Sequence, residues 1–285
     1  MRGGPALSIV SNSADAPDSH LRVVSEAPAA ASGIRLSGVS KTYRTREGDV
    51  PSLRPLDFQI NDGEFFVVVG PSGCGKSTLL KMISGLLPPS TGEIFVDGEK
   101  VTEPHGNAGI VFQHALLLPW RTVLGNVMLP IEMKKLPRAE YLPRAKKLLE
   151  MVGLGGFENK LPWQLSGGMQ QRASICRALV HDPKIMMMDE PFGALDAMTR
   201  ERMNVELRRI QRATGKTILL ITHSIPEAVF LADRVLVMTE RPGSIAAIYD
   251  VPLGADRTLD MMAGPVFAEL VARIRKHFST QSALD

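Results

Sequence analysis

The apolar positions of this chain occur in two kinds of run, one short and continuous, the other spaced every three to four residues. Phe65–Val69 is a continuous apolar run that ends at Gly70, which predicts a parallel strand covered on both faces. Further strand-like runs are found at Ile185–Met188, Thr217–Thr222, Val235–Met238 and Ile245–Tyr249. Because strands and helical runs alternate, the pattern predicts a mostly parallel α/β core.

Helices are predicted between these strands. The first has apolar residues at helical spacing over Leu79–Leu87 and is stopped by Pro88-Pro89. The middle of the chain, roughly Ala115–Val180, reads as helical, and a further helix over Met198–Thr214 is predicted to end at Gly215. The helical stripes are Leu142, Ala145, Leu148, Leu149 and Val152; Met169, Ala173, Cys176, Leu179 and Val180; and, near the C-terminus, Phe267, Leu270, Ile274 and Phe278.

Length and composition restrict the class of protein. A chain of 285 residues, 44% hydrophobic and 22% charged, is ordinary for a globular protein, and a formal net charge of +3 is too small to indicate nucleic acid as a partner. No run approaches the ~18 apolar residues that span a bilayer. The N-terminus lacks the continuous apolar segment of a signal peptide, and Cys74 and Cys176 do not suggest a disulfide framework. We therefore expect a reducing compartment, the cytoplasm.

The loop after the first buried strand matches the pattern of a phosphate-binding loop. Its glycines let backbone N–H groups converge on phosphate oxygens, and the helix N-terminus adds a favourable partial positive charge. Lys76 would reach the β- and γ-phosphates of ATP, and the Ser77 hydroxyl would be a ligand of Mg²⁺. The predicted nucleotide-binding residues of this loop are Gly70, Pro71, Ser72, Gly73, Cys74, Gly75, Lys76, Ser77 and Thr78.

Two adjacent carboxylates follow the apolar run Ile185–Met188. Ligand sites of α/β proteins lie at the carboxyl ends of the strands. Asp189 is therefore predicted to hold Mg²⁺ through its water shell, and Glu190 to polarise the attacking water. Taken alone, Asp-Glu-Pro after a strand is usually a solvated turn, but the upstream phosphate loop favours the catalytic interpretation.

The segment Leu165–Arg172, with the sequence LSGGMQQR, resembles the signature motif of ABC-type ATPases. Met169 departs from the Gln of many family members, a variant common in one importer subgroup. Ser166, Gly167 and Gly168 open a helix, so their N–H groups suit a γ-phosphate. The other elements of the family occur in order along the chain: Tyr43, Gln113, Ala194-Leu195-Asp196 and His223.

The resemblance implies a role for each of these residues. Tyr43 would stack on adenine, Gln113 would sense Mg²⁺ and the attacking water, and Asp196 would belong to the nucleotide site. His223 would contact the γ-phosphate. The signature motif, Ser166–Gly168, would serve the ATP of a second copy in a head-to-tail dimer around two ATPs. For Tyr43 the alternative is an ordinary strand-end tyrosine, and for His223 an imidazole of the core.

The resemblance also implies a fold: a P-loop NTPase (RecA-like) core with an inserted α-helical subdomain and an N-terminal antiparallel β part. Residues 1–32 would form a disordered tail. The ATPase domain would cover 33–253, with its core at 33–113 and 181–253 and the helical subdomain at 114–180. Residues 254–285 would form a short helical extension.

The surroundings of the motifs indicate the kind of ABC ATPase. One set of motifs, with no heptad arm and no fused membrane segment, disfavours ribosomal, DNA-repair and single-chain exporter relatives. Val111–Val127 and Thr239–Gly243 resemble importers for nitrate, sulfonates and taurine. We therefore expect an importer subunit on the cytoplasmic face of the cell membrane, with permease subunits as partners and a solute-binding protein as an indirect one. The alternative is a non-transport ABC ATPase that remodels a cytosolic partner.

One stretch is predicted to contact the permease. Ala115–Trp120 is apolar and lies beside Gln113, Pro119 interrupts any helix there, and Trp120 next to Arg121 has the composition of an interface anchor. In the family this region receives a short helix of the membrane subunit. The alternative is a packed hydrophobic turn.

Overall fold

The strands of residues 33–279, the part of the chain that the computed structural model describes, form two β-sheets. The tail predicted for residues 1–32 lies outside the described residues. In chain order the strands are β1 (Gly33–Thr45), β2 (Gly48–Asn61), β3 (Phe65–Val69), β4 (Thr91–Val96), β5 (Glu99–Lys100), β6 (Ala108–Val111), β7 (Ile185–Asp189), β8 (Thr217–Thr222), β9 (Arg234–Met238) and β10 (Ile245–Asp250). The smaller sheet is antiparallel, with the order β2-β1-β4-β5.

The larger sheet has the order β10-β9-β3-β8-β7-β6, and only the β10–β9 pair is antiparallel. The predicted P-loop NTPase fold, with a mostly parallel core and an antiparallel β part before it, is therefore confirmed. Because β6, β7, β8 and β3 run parallel side by side, their carboxyl ends meet at one edge of the sheet.

Both faces of the larger sheet are buried, as β3 illustrates. Phe65, Val67 and Val69 point into a core shared with the helices of one face, whereas Phe66 and Val68 point into a core shared with the smaller sheet. Burying each such side chain fully contributes about 1.5–3 kcal/mol. This explains why the strand is apolar at every position rather than at every second one.

The helices cover the two faces of the sheet. They are α1 (Lys76–Ile83), α2 (Val123–Val127), α3 (Leu129–Met133), α4 (Arg138–Met151), α5 (Gly167–Leu179), α6 (Ala197–Thr214), α7 (Ile225–Leu231) and α8 (Pro265–Ser279). Helices α2 to α5 follow β6 and precede β7, while the exact division into domain, helical subdomain and extension stays a prediction. Within residues 33–279 no helix has the length and apolar character needed to cross a membrane.

The first helix is shorter than predicted, since α1 ends at Ile83 and not near Leu87. Gly85 adopts a left-handed backbone with φ of 76°, and its N–H donates to the Met82 carbonyl at 3.1 Å. A Cβ atom at Gly85 would lie 2.2 Å from the backbone oxygen of Glu103. The helix therefore stops where another segment of the chain approaches it, before the prolines are reached.

The prediction that the helical middle begins at Ala115 is also wrong, because its first helix begins at Val123. Leu116 has a left-handed backbone with φ of 45°, which a right-handed helix cannot include. Thr122 then caps α2, with its hydroxyl accepting from the Gly125 N–H at 3.0 Å.

Asn126, fully buried on α2, holds this non-helical segment in shape. Its Oδ1 accepts from the Leu118 N–H at 2.7 Å. Its Nδ2 lies within hydrogen-bonding distance of the carbonyls of Leu118, Arg121 and Thr122, at 3.0–3.1 Å. One amide group thus supplies the hydrogen bonds that a helix would otherwise provide here.

Asn126→Ala should therefore destabilise the protein by at least about 2 kcal/mol, because buried backbone groups lose their partners. Urea unfolding followed by circular dichroism measures this. Asn107→Ala, at an exposed position, is the matched control and should change the free energy of unfolding by less than about 0.5 kcal/mol. Similar stabilities of the two variants would contradict the role of Asn126.

Candidate nucleotide site

The phosphate loop joins the carboxyl end of β3 to the amino end of α1. Gly75 caps α1 with φ of 108°, and its carbonyl accepts from the Leu79 N–H at 2.8 Å. A Cβ atom at Gly75 would lie 2.6 Å from Cδ2 of Leu53 on β2. The backbone conformation therefore favours glycine, and a side chain here would also have to displace Leu53. The result is a helix N-terminus at the end of the loop, where N–H groups can bind an anion.

Lys76 lies along the loop and is only 6% exposed. Its ammonium group donates to the carbonyls of Gly70 and Pro71, both at 2.8 Å. An ammonium group has three N–H donors, so one remains for a phosphate oxygen. The loop itself thus orients the charge that the sequence predicted for the β- and γ-phosphates.

Asp189 ends β7 and hydrogen-bonds to Ser77, the first residue after Lys76. Burial raises the pKa of Asp189, and the nearby Glu190 raises it further, while the hydrogen bond to Ser77 and the charge of Lys76 lower it. A buried carboxylate beside a hydroxyl is the oxygen-donor set that Mg²⁺ prefers. Among the described residues no cluster of three or more His, Cys, Asp or Glu could hold a metal. Mg²⁺ held by Asp189 and Ser77 would take its other ligands from water and phosphate oxygens, as is usual for this ion.

Glu190 lies next to the phosphate loop with a strained backbone, at φ of 46°. Its N–H donates to the Ile221 carbonyl of β8 at 2.9 Å, which fixes the turn. Its Oε2 accepts from Nε2 of Gln113 at 3.4 Å and lies 3.3 Å from Nδ1 of His223. Three predicted catalytic residues, which are far apart in the chain, are thus brought into contact.

A cavity of ≈ 370 Å³ lies between the phosphate loop and Glu190. The predicted residues that line it are Tyr43, Ser72, Gly73, Gly75, Lys76, Ser77, Thr78, Gln113 and Glu190. The Tyr43 hydroxyl lies 3.3 Å from the Thr78 hydroxyl, so β1 reaches the start of α1. Gly70, Pro71 and Ser72 line an adjoining cavity with His223. The Cys74 side chain is buried in the core, which leaves only its backbone to face a ligand.

Two residues of the cavity were missed by the sequence reasoning, Ser52 on β2 and Arg241 in the loop between β9 and β10. The only signal for Arg241 was its place in Thr239–Gly243, which was read as a subgroup feature without a role. Nothing in the pattern around Ser52 distinguishes it from any other strand residue.

The signature motif and Asp196 do not line this cavity. Ser166 caps α5, its hydroxyl accepting from the Met169 N–H at 3.3 Å, and both Ser166 and Gly167 are exposed. Asp196 caps α6 by accepting from the Thr199 N–H at 2.9 Å, and this contact lowers the pKa of Asp196. These residues are therefore well formed as helix caps but lie outside the cavity of their own chain.

Gln171 connects the signature helix to the nucleotide cavity. It is buried on α5, and its Nε2 donates to the carbonyl of Phe112 at 3.0 Å. Phe112 immediately precedes Gln113, so a shift of either residue would strain or move the hydrogen bond to Gln171 of α5. The sequence contained Gln171 within the signature segment but offered no reason to give it a separate role.

Comparison with known proteins identifies the family. Residues 53–193 match the family model described as ABC transporter. The ABC transporter ATP-binding protein MJ0412 of Methanocaldococcus jannaschii is 46% identical over 79% of this chain and 84% of its own length. The taurine import ATP-binding protein TauB of Yersinia pestis is 47% identical over 74% of this chain and 82% of its own length. The bicarbonate transport ATP-binding protein CmpD of Synechocystis is 44% identical over 83% of this chain and 86% of its own length.

A solved structure agrees with the fold. The dimeric post-hydrolysis structure of the ATP-binding cassette MJ0796, bound to ADP and Pi, superposes with a TM-score of 0.71 at 34% identity. The match covers 78% of this chain and all of that chain.

In the parallel sheet the phosphate loop follows β3, and the acidic pair lies at the end of β7, two strands away. This arrangement defines an ATP-hydrolysing P-loop protein. The chain belongs to the ABC transporter family, as one of its ATP-binding subunits.

Asp189→Asn should raise the stability of the nucleotide-free protein at neutral pH, although it removes a site residue. The pKa of Asp189 is raised in the folded state, so the protonated carboxyl favours folding. This contribution to stability is fully present below the pKa of the unfolded chain, about 3.9, and is lost as the pH rises through the pKa of the folded chain. The melting temperature of the variant should therefore exceed that of the wild type by more at pH 7 than at pH 5. Added Mg·ATP should stabilise the variant less than the wild type.

Asp196→Asn is the matched control, since the pKa of Asp196 is lowered and its neutralisation should not stabilise. A lower melting temperature of Asp189→Asn without nucleotide, or an unchanged gain from Mg·ATP, would contradict the assignment.

Proposed function

We propose that this chain hydrolyses Mg·ATP to drive the import of a small solute, such as nitrate, a sulfonate or taurine, through a separate permease. The observation that carries the proposal is the meeting of Lys76, Gln113 and Glu190 around one cavity. One relative is named for taurine import and another for bicarbonate transport, and both solutes are small molecules that carry an acidic group. A solute-binding protein would deliver the solute to the permease and would not touch this chain.

The geometry supports a division of labour in hydrolysis. Lys76 and the N-terminus of α1 would hold the phosphates, and Tyr43 would stack on adenine. Asp189 and Ser77 would hold Mg²⁺, which when bound neutralises charge on the phosphates. Glu190 would orient and polarise the attacking water, with Gln113 and His223 keeping its carboxylate in place. His223 would also reach the γ-phosphate.

The exposed signature motif supports a dimer. Ser166, Gly167 and Gly168 form a helix start whose N–H groups suit a phosphate, yet they lie outside the cavity of their own chain. A second copy placed head to tail would bring them, with Asp196, over the first copy's ATP. The solved relatives with TM-scores of 0.71 and 0.72 are described as dimeric.

Glu190→Gln should keep ATP binding, slow hydrolysis by about 10²- to 10⁴-fold, and accumulate a dimer in Mg·ATP. The amide keeps the size and the hydrogen bonds of the side chain but loses the charge that polarises water. Phosphate release and size-exclusion chromatography, each with and without ATP, measure both effects. Glu47→Gln, in the exposed turn between β1 and β2, should behave as wild type. A monomeric, fully active Glu190→Gln protein would refute both the catalytic role and the dimer.

A second groove supports docking to a permease. It has a volume of ≈ 630 Å³, adjoins Phe112, and is mainly apolar. We name it the coupling groove; its lining residues are Ala108, Ile110, Phe112, Leu116, Leu118, Leu129, Pro130, Met133, Lys134, Arg177, Ala178 and His181. Arg177 donates to the carbonyls of Ala115 and Leu116 at 2.8 Å and so fixes one wall.

Two apolar residues that line the coupling groove, Leu116 and Met133, are largely exposed. Trp120, in the same loop as Leu116, is 74% exposed. Large apolar groups left in water favour an interface over the packed turn that was the alternative. We propose that a short helix of the permease binds here, which would hold this chain at the cytoplasmic face of the membrane.

Trp120→Ala should leave ATP hydrolysis by the isolated subunit within about twofold of wild type, because the side chain makes little contact with the core. It should weaken retention by the detergent-solubilised permease and lower solute uptake per ATP hydrolysed in vesicles. Trp163, similarly exposed but in a different segment of the chain from Leu116 and Leu118 of the coupling groove, is the matched control for retention by the permease. Loss of fold and of basal activity in Trp120→Ala, seen by circular dichroism and phosphate release, would instead favour core packing.

A further inference from the structure

Arg241 brings a second cation into the nucleotide cavity, besides Lys76. It lies in the loop between β9 and β10, far from the phosphate loop in sequence. Within residues 33–279 it forms no salt bridge with another side chain. An unpaired guanidinium group that lines a ligand cavity is available to the ligand.

The loop that carries Arg241 is held against both β2 and the phosphate loop. The Gly243 N–H donates to the Ser52 carbonyl, and the Arg54 N–H donates to the Gly243 carbonyl, both at 2.9 Å. A Cβ atom at Gly243 would lie 2.1 Å from the backbone oxygen of Cys74, so the contact requires glycine. Arg241 is therefore placed relative to the cavity by backbone contacts on two sides.

The position of Arg241 along the cavity follows from its own hydrogen bond. Its Nε donates to the carbonyl of Pro51 at 3.3 Å, and Pro51 pairs with Thr42 in the β1–β2 ladder. Thr42 precedes Tyr43, so Arg241 lies at the Tyr43 end of the cavity. Lys76 is held instead at the carbonyls of Gly70 and Pro71. The two cations are thus anchored to different parts of the cavity wall.

We propose that Arg241 binds the nucleoside part of the nucleotide, next to Tyr43, and not its terminal phosphates. A planar guanidinium group can stack on a purine ring and donate hydrogen bonds to ribose hydroxyls, which a lysine does poorly. This inference rests on the proposed nucleotide site. ATP and ADP carry the same nucleoside, so Arg241 strengthens the binding of both equally and takes no part in sensing the γ-phosphate.

The test compares ligands with and without the nucleoside, using the full chain. For Arg241→Ala and Arg241→Gln we would measure the KM and kcat for ATP, the Kd for Mg·ADP by calorimetry, and the Ki of inorganic tripolyphosphate as a competitive inhibitor of hydrolysis. KM and Kd should rise together by about 3- to 30-fold. The kcat and the Ki should stay within about twofold of wild type.

Controls separate this inference from the nucleotide site itself. Arg54→Ala, on the exposed face of β2 and outside the cavity, should change none of these constants. Lys76→Ala should weaken ATP, ADP and tripolyphosphate alike, and unchanged binding there would overturn the site together with Arg241. If Lys76→Ala behaves as expected, two results overturn the role of Arg241 alone: an equal rise in the Ki of tripolyphosphate, which indicates a phosphate contact, or no change in KM and Kd.

Discussion

The parallel pairing of β6, β7, β8 and β3 is the constraint on which the site depends. Val69 pairs with Thr222, Asp189 with Ile221, and Val111 with Met188. The next residues of each strand therefore meet at one edge, which joins the phosphate loop, His223, the acidic pair and Gln113. Because these strands are buried on both faces, a slip of one residue would exchange their two core faces. The core that stabilises the sheet thus also sets the distances within the site.

Glu190 concentrates several of these constraints in one residue. Its left-handed backbone is costly for a non-glycine residue, and its carboxylate is shared between Gln113 and His223. Gln113 follows Phe112, which accepts a hydrogen bond from Gln171 of α5 and lines the coupling groove. A shift of Glu190 can therefore reach both the signature helix and the groove through a few short contacts.

Stability and function oppose each other at this edge of the sheet. Asp189 is buried with a raised pKa, so its charge is unfavourable in the folded chain until a cation compensates it. Buried carboxylates and strained backbones persist where the surrounding core over-determines them, and they concentrate at functional sites. The apolar strand β7, buried at every position, supplies that support here.

Local pattern alone determined the strand β3, the phosphate loop, the helix α6 with Gly215 at its end, and the acidic pair, because spacing along the chain encodes each of them. Tertiary structure decided three further features. The end of α1 depends on the close approach of the Glu103 backbone. The shape of the segment after Gln113 depends on the buried Asn126. Arg241 enters the cavity because Gly243 packs on β2 and Cys74. These contacts join residues distant in the chain, and such proximity exists only once the core has formed.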